Sequence, residues 1–319
     1  MRLSVVIPTY RGGQKLLDCL DTILDQTRPA DELIVVDSSD DDSPDLVRAR
    51  FGDRVTLLHQ PERILPGDAR NLGVRACTGD VVVFTDDDCL ADRNWLAEIE
   101  KTYEANPSAQ WVGGSVWPAD NDNPVSRTDF WVAFSDLLTR CDGRSVLRRA
   151  MYNLSFRRDA YLEIGGMPEN SLNSDRMFNT AFQRKHSAVT IAPDALILHR
   201  CPTDVDRVLA RHRRSGVSFV WGRRRDPSLS GSFGARHRWA TPLLRLARET
   251  LFWARMWRYV PREAFRSLSH AWLIHRVFGA WHAGVRQGFD EESSRDWREY
   301  DWGIHNADST TSDSPPGPR

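Results

Sequence analysis

Residues 80–89 read DVVVFTDDDC, so four apolar residues are followed, after one threonine, by three consecutive aspartates. A short, continuous apolar run is typical of a strand that is buried on both faces of a sheet. Two earlier stretches share this pattern, LSVVIPTY at 3–10 and LIVVDSS at 33–39. In the segments between these strands, apolar residues recur at helical spacing. This alternation predicts an α/β fold with a mostly parallel sheet covered by helices on both faces.

The first 110 residues alternate predicted strands with predicted helices. The strands are Leu3–Ile7, Leu33–Val36, Val55–His59 and Val81–Thr85. The helices are Gln14–Gln26, Pro44–Phe51, Asp68–Cys77 and Asn94–Asn106. Residues 111–199 are less regular, and the elements predicted there are strands at Met151–Arg157, Val189–Ile191 and Ala195–His199 and helices at Asp159–Ile164 and Ser174–Lys185.

The composition of the 319-residue chain, with 40% hydrophobic and 27% charged residues, is that of an ordinary globular protein. No apolar run approaches the roughly 18 residues of a transmembrane helix, and the N-terminus lacks the apolar region of a signal peptide. Five scattered cysteines without a CxxC pair indicate neither a disulfide framework nor a zinc site. We therefore expect a cytoplasmic location.

Charge divides the chain into parts of different character. Residues 1–199 carry 22 basic and 31 acidic side chains, whereas residues 200–289 carry 18 basic and 5 acidic ones. Eight of the 12 tryptophans lie beyond residue 220. These shifts predict an α/β domain over 1–203, an Arg- and Trp-rich helical extension over 204–290, and an acidic, disordered tail over 291–319.

Within the extension, residues 243–285 combine apolar and aromatic side chains with arginines at helical spacing. This pattern is typical of a helix lying on an anionic membrane surface, which would make the protein peripheral on the cytoplasmic face. The same pattern suits packing against the α/β domain or contact between copies in a homo-oligomer, and all three alternatives stay open. Nucleic acid is not an expected partner, because no nucleic-acid-binding motif accompanies the basic charge.

Two predicted strands end in carboxylates, one in Asp37 and the other in Asp86, Asp87 and Asp88. Ligands of open parallel sheets bind at the carboxyl ends of the strands. Crowded carboxylates repel each other unless a cation neutralises them, and Mg²⁺ or Mn²⁺ prefers such oxygen ligands. The acidic run at 40–42 is instead interpreted as a solvated turn before a helix. No Walker or GxGxxG loop is present.

The segments SVVIPTY, LIVVDSS and ARNLGVRACTGDVVVFTDDDC occur in this order, with Trp95-Leu96 after them. Together they resemble the family 2 glycosyltransferases, strongly over 3–100 and fairly over 150–200. The resemblance implies a Rossmann-like GT-A domain in which residues 1–110 bind a nucleotide-sugar and residues 111–203 bind the acceptor. It also implies metal-dependent, inverting transfer from a nucleotide-diphosphate sugar, with UDP favoured, to a hydroxyl on a lipid-linked or small-molecule acceptor in cell-envelope or polysaccharide synthesis.

The resemblance carries particular roles onto matching residues. Those implied to bind the nucleotide-sugar are Pro8, Thr9, Tyr10, Asp37, Arg70, Asp86 and Asp87. Those implied to bind Mn²⁺ or Mg²⁺ are Asp86 and Asp88 of the DxD motif and His199. Ser38 stands where many relatives have a second aspartate, which leaves the nucleotide base less certain.

Asp175, at the start of a predicted helix after Gly165-Gly166, matches the position of the general base, although Ser174 replaces the glutamate that often precedes it. The alternative for Asp175 is a carboxylate that only complements a helix dipole. Because of Ser38 and Ser174, a non-catalytic nucleotide-sugar-binding or membrane-adaptor protein is the alternative function. The resemblance places residues 211–214, RHRR, where family members close a loop over the diphosphate, but each is interpreted first as part of a solvated basic face. Asn153 is interpreted as structural.

Overall fold

The computed structural model describes residues 1–141, 144–147, 150–171, 173–186, 188–225 and 232–291. All but the first residue of the predicted acidic tail lie outside this described part of the chain.

Eight strands form one sheet in the described residues, in the order β3-β2-β1-β4-β9-β6-β10-β5. Its strands are β1 Leu3–Thr9, β2 Glu32–Asp37, β3 Thr56–His59, β4 Val81–Phe84, β5 Cys89–Ala91, β6 Trp111–Pro118, β9 Leu154–Arg157 and β10 Thr190–His199. A separate hairpin pairs β7 (Leu138–Cys141) with β8 (Arg144–Leu147). β1, β2, β3 and β4 run parallel, as do β6 and β10, while β9 is antiparallel to both neighbours and β5 to β10.

Twelve α-helices accompany these strands in the described residues. They are α1 Gly13–Leu24, α2 Ser43–Phe51, α3 Pro66–Ala76, α4 Trp95–Ala105, α5 Pro124–Phe134, α6 Arg158–Glu163, α7 Ser174–His186, α8 Val205–Arg225, α9 Ser232–Arg236, α10 Thr241–Tyr259, α11 Pro261–Leu268 and α12 Ala271–Asp290. The mostly parallel sheet flanked by helices agrees with the predicted fold class.

The middle of the chain differs from the sequence-based prediction. β5, β6, α5 and the β7–β8 hairpin were not predicted, and Met151–Asn153 is a 3₁₀ turn that precedes β9. β10 is one strand with a register shift between Ala192 and Leu196, where the sequence predicts two strands. Pro193 lies inside this shift, and since proline has no N–H it cannot donate to a regular ladder.

Side chains of β1 alternate between two hydrophobic clusters, as expected for a strand buried on both faces. Val5 and Ile7 belong to the cluster that includes residues of α1, α4, α5, α10 and α12. Val6 belongs to the cluster on the other face, with residues of α3, α6 and α7.

Asn153 is buried and connects α4, β6 and β10. It accepts from Trp95 Nε1 at 2.8 Å and donates to the Ser115 and Ala195 carbonyls at 2.7 and 2.9 Å. Asn153 is therefore a structural residue.

The C-terminal helices pack against the α/β domain through their apolar face. Phe252 and Met256 of α10, and Leu273, Val277 and Phe278 of α12, lie in the same cluster as the strands. The helices α8 and α12 also approach each other closely, since a Cβ at Gly216 or Gly284 would clash with the opposing backbone. One face of the extension is thus covered by the α/β domain, which is the second of the alternatives given for residues 243–285, beside membrane contact and contact between copies. No helix in the described ranges combines the length and apolarity that crossing a membrane requires.

Candidate active site

A cavity of about 910 Å³ opens at the carboxyl ends of the central strands. It brings together five residues that the sequence predicts as functional, namely Arg70, Asp86, Asp88, Asp175 and His199. The other predicted residues, which do not line it, are Pro8, Thr9, Tyr10, Asp37 and Asp87. The five residues that do not line the cavity lie along the neighbouring ends of β1, β2 and β4. The arrangement is a cavity with an acidic centre and a second polar region beside it.

Asp86 and Arg70 form an ion pair at the edge of the cavity. Arg70 is buried on α3, where its guanidinium also lies 6.0 Å from the centre of the Phe84 ring. Burial raises the pKa of the Asp86 carboxyl, and the charge of Arg70 opposes that rise. Arg70 therefore stabilises the ionised form of Asp86, which burial disfavours.

Asp88 and His199 meet because β5 pairs with the end of β10. In this antiparallel register Cys89 lies opposite His199, and the Arg200 N–H donates to the Asp88 carbonyl at 2.8 Å. His199 Nε2 consequently lies 3.6 Å from Asp88 Oδ1. The His199 ring is buried against Phe134 and Tyr152, which fix its orientation.

Ligand atoms of Asp88, Cys89 and His199 lie within 4.8 Å of one another, close enough to share one metal ion. A carboxylate and an imidazole nitrogen are suitable donors for a divalent cation that keeps further positions for phosphate oxygens and water. Cys89 is a poor third donor, because burial raises the pKa of its thiol well above the usual value. The donor set thus fits a divalent cation held by Asp88 and His199.

Thr9 Oγ1, at the end of β1, donates to Asp87 Oδ2 at 2.5 Å. Burial, followed by the charge of Asp88, raises the pKa of Asp87 to about 7. Gly12 lies against the same pair, and a Cβ there would collide with Thr9 Oγ1. Asp87 therefore belongs to the region beside the cavity and does not line the cavity itself.

Asp37 is fully buried at the end of β2 and is held by two groups. It accepts from Ser39 Oγ at 2.5 Å and contacts His59 Nδ1 at 2.7 Å. His59 was not among the predicted site residues, although β2 and β3 are parallel and Asp37 is directly opposite it. Tyr10 lies nearby with the Arg63 guanidinium 4.4 Å from its ring centre. Asp37, His59, Tyr10 and Arg63 form a polar, aromatic region suited to a planar heterocycle.

Asp175 is in the first turn of α7 and is partly exposed to the cavity. Asn173, with φ at +64°, precedes the helix and donates to the Ser218 carbonyl at 3.1 Å, which ties this turn to α8. Ser174 is buried against Gly67 of α3, where a Cβ on the glycine would collide with Ser174 Oγ. Because α3 approaches so closely, the residue before Asp175 must have a small side chain, as Ser174 does.

The interpretation of residues 211–214 as a solvated face is wrong for the first two. Asp129 of α5 is fully buried, forms an ion pair with Arg211 and contacts His212 Nε2 at 2.8 Å. The cationic neighbour Arg211 and the bond from His212 hold the pKa of Asp129 at about 2 despite the burial that opposes this. Arg211 also lines the cavity, so a buried carboxylate positions a cation at its wall.

Residues 4–165, just over half of the chain, match the profile of Glycosyl transferase family 2. The chain belongs to this family. The glucosyl-dolichyl phosphate glucuronosyltransferase of Haloferax volcanii is 33% identical over 182 residues, which cover 54% of this chain and 57% of that protein. The match with this curated relative is thus limited to a little over half of either length.

Solved structures share the fold of this family 2 glycosyltransferase over most of its length. The mannosyltransferase PcManGT from Pyrobaculum calidifontis, in complex with GDP-Man and Mn²⁺, aligns with a TM-score of 0.57 and 23% identity, covering 91% of this chain and 88% of that one. S. aureus TarS 1-349 in complex with UDP-GlcNAc aligns with a TM-score of 0.52 and 13% identity, covering 91% and 92%. At these identities the similarity establishes the fold, which is the GT-A fold.

Proposed function

We propose that this glycosyltransferase moves a sugar from a nucleotide-diphosphate sugar to an acceptor hydroxyl with inversion, in cell-envelope or polysaccharide synthesis. One observation carries the proposal. The Asp86–Arg70 and Asp88–His199 pairs line the same cavity as Asp175. Groups suited to the donor's diphosphate and a group suited to activate the acceptor therefore face one cavity.

On the donor side, Asp88 and His199 would hold Mn²⁺ or Mg²⁺. When bound, the ion supplies positive charge that stabilises the leaving diphosphate. Arg70 holds Asp86 at the cavity edge, and Arg211, positioned by Asp129, adds a second cation there. The region formed by Tyr10, Asp37, His59 and Arg63 would take the nucleotide base, and Thr9 and Asp87 would contact the nucleotide next to it.

On the acceptor side, Asp175 would accept the proton of the attacking hydroxyl. A direct displacement inverts the anomeric carbon, because the hydroxyl attacks from the face opposite the leaving diphosphate. A general base of this kind must reach the hydroxyl within hydrogen-bond distance, and a partly exposed position on the cavity wall allows that.

The donor proposal is tested by thermal unfolding of the full chain with UDP, GDP, CDP or dTDP, each with and without Mn²⁺ or Mg²⁺. We expect one nucleotide, with UDP as the first choice, to raise the midpoint only when metal is present. Ligand at 100 times its Kd stabilises a protein by about 2.7 kcal/mol. Stabilisation by nucleotide without any metal requirement would contradict the metal site, and no stabilisation by any of the four would favour the alternative of a membrane-adaptor protein.

We also propose that the outward face of the extension contacts an anionic membrane surface. In its described residues nine large apolar side chains are exposed, namely Phe233, Trp239, Leu243, Leu246, Leu251, Trp257, Phe265, Leu268 and Trp272. Leu243, Leu246 and Trp257 share one side of α10, opposite the buried Phe252 and Met256. Arg258, Arg262 and Arg276 of the same helices are also exposed. Apolar insertion combined with attraction to anionic lipid is how interfacial helices bind.

Sedimentation with vesicles tests this contact. We expect the wild-type chain to sediment with phosphatidylglycerol-containing vesicles and much less with pure phosphatidylcholine. Leu243→Glu combined with Leu246→Glu should reduce sedimentation several-fold, because both charges would enter the apolar interface. The control is Leu162→Glu, a comparably accessible leucine on α6, which should sediment like the wild type. If the Leu243→Glu, Leu246→Glu variant sediments as much as Leu162→Glu does, the outward face of the extension is not the membrane-binding surface.

A further inference from the structure

Four arginines from three helices gather beside Asp175. Arg176 follows Asp175 on α7, Arg223 belongs to α8, and Arg248 and Arg255 belong to α10. Arg176, Arg223 and Arg255 line the cavity directly. Arg248 is close enough to perturb the titration of Arg223. Arg176, Arg223, Arg248 and Arg255 form the α7–α10 arginine cluster.

Aromatic faces support the two inner arginines of the cluster. Arg223 is only 4% exposed, and its guanidinium lies 3.9 Å from the centre of the Phe219 ring. The guanidinium of Arg248 lies 4.2 Å from the centre of the Trp281 ring. A cation over an aromatic face is attracted to it, so these contacts hold the two guanidinium groups in place.

Positive charge exceeds negative charge on this side of the cavity. Asp86 is paired with Arg70, and Asp88 belongs to the proposed metal site, so Asp136 and Asp175 are the remaining carboxylates among the lining residues. Asp136 accepts from Arg176 at 3.1 Å. Burial, together with the like charges of the cluster, lowers the pKa values of Arg223 and Arg248 to about 10. Both arginines stay charged at neutral pH, and gathering them costs free energy that a bound anion would offset.

We propose that the α7–α10 arginine cluster binds a phosphate group of the acceptor. This inference rests on the proposed function, because it assigns the acceptor to the side of the cavity where Asp175 lies. In the proposed function the diphosphate of the donor lies next to Arg70 and Arg211, which are not members of the cluster. An acceptor that also carries a phosphate would be repelled from that diphosphate unless a separate group of cations received it. Arginine forks bind phosphate oxygens in pairs, which also orients the acceptor hydroxyl toward Asp175.

A phosphate ester of a lipid and a soluble sugar phosphate present the same group to the cluster. Calorimetric titrations with two probes distinguish them, octyl phosphate for the first and glucose 1-phosphate for the second. Octanol and methyl glucoside serve as uncharged counterparts. The titrations use the full chain, first alone and then with UDP or GDP and Mn²⁺ present, so that the probe cannot occupy the donor site.

We expect at least one phosphate probe to bind at least tenfold more tightly than its uncharged counterpart. Arg255→Gln should weaken that binding by about tenfold, since it removes one charge-assisted contact. Arg258→Gln, on the same helix but exposed, is the matched control and should bind like the wild type. Binding of octyl phosphate alone would assign a lipid source, and binding of glucose 1-phosphate alone a soluble one.

Two results would overturn the inference. One is binding of both phosphate probes no tighter than that of the uncharged molecules. The other is equal binding by Arg255→Gln and Arg258→Gln. Arg176→Gln gives a second, more exposed position if Arg255→Gln unfolds, and a similar loss is expected there. Nucleotide binding is measured on the same samples, so a chain that binds nucleotide and metal but no phosphate probe refutes this inference and leaves the proposed function intact.

Discussion

Asp175→Asn is expected to lower the rate of sugar transfer by about 10²–10⁴-fold while nucleotide and metal bind as in the wild type. Asparagine has nearly the same shape as aspartate, so the first turn of α7 and the packing of Ser174 on Gly67 are retained. The amide cannot accept the hydroxyl proton, however. The measurement is the rate of nucleoside diphosphate release from the sugar nucleotide that binds, in the presence of a phosphate-bearing acceptor.

Asp159→Asn is the matched control for this variant. Asp159 is also in the first turn of a helix, α6, but it is exposed and does not line the cavity. If Asp175 only complements a helix dipole, both variants would lose a few tenths of a kcal/mol of stability and transfer at the wild-type rate. Transfer by Asp175→Asn at the wild-type rate would therefore refute its assignment as the base.

The donor half of the fold could be predicted from sequence because its strands are continuous apolar runs that end sharply. Val81–Phe84 is fully buried, and the aspartates after it mark where the strand ends. β6 gives no such signal, because Gly113, Gly114 and Ser115 interrupt its apolar pattern. Its place between β9 and β10 depends on pairing with distant strands, which no local pattern contains.

Site residues differ in the same way. Asp37 and His59 end two predicted parallel strands, so their proximity could have been predicted from register alone. The ion pair of Asp129 with Arg211 joins residues 82 positions apart, and neither position has a periodic signal. The one available clue is an aspartate directly before Phe130 and Trp131 on a helix whose buried residues include all three. A carboxylate in that setting requires a cation, but the sequence does not identify which arginine supplies it.

The extension shows what amphipathic patterning can and cannot predict. Helices rich in arginine and tryptophan were expected over 204–290, and α8 to α12 are there. Their buried face packs on the α/β domain, while arginines of α8 and α10 contribute to the cavity wall. Sequence periodicity defines the faces of each helix, but the neighbour that covers a face depends on the tertiary arrangement.

Asp88→Ala is expected to abolish the metal-dependent part of nucleotide binding. The pair that could hold the ion would be reduced to His199, because Asp86 is engaged with Arg70. Thermal unfolding with the preferred nucleotide and Mn²⁺ measures the effect, and the metal-dependent stabilisation of about 2.7 kcal/mol at 100 times Kd should disappear. Asp42→Ala is the control, since Asp42 belongs to an exposed acidic turn of similar composition.

The metal-free protein provides an independent check on the same variant. The charge of Asp88 contributes to the raised pKa of Asp87, so the two carboxylates repel each other when no cation is bound. Removing Asp88 relieves that repulsion, and we expect the midpoint of metal-free Asp88→Ala to equal or exceed that of the wild type at pH 8. A variant that is more stable without metal but gains nothing from nucleotide and Mn²⁺ has lost the metal site, not the fold. A variant that keeps the wild-type response to Mn²⁺ would move the ion away from Asp88, leaving the Asp86–Arg70 pair as the place to search for its ligands.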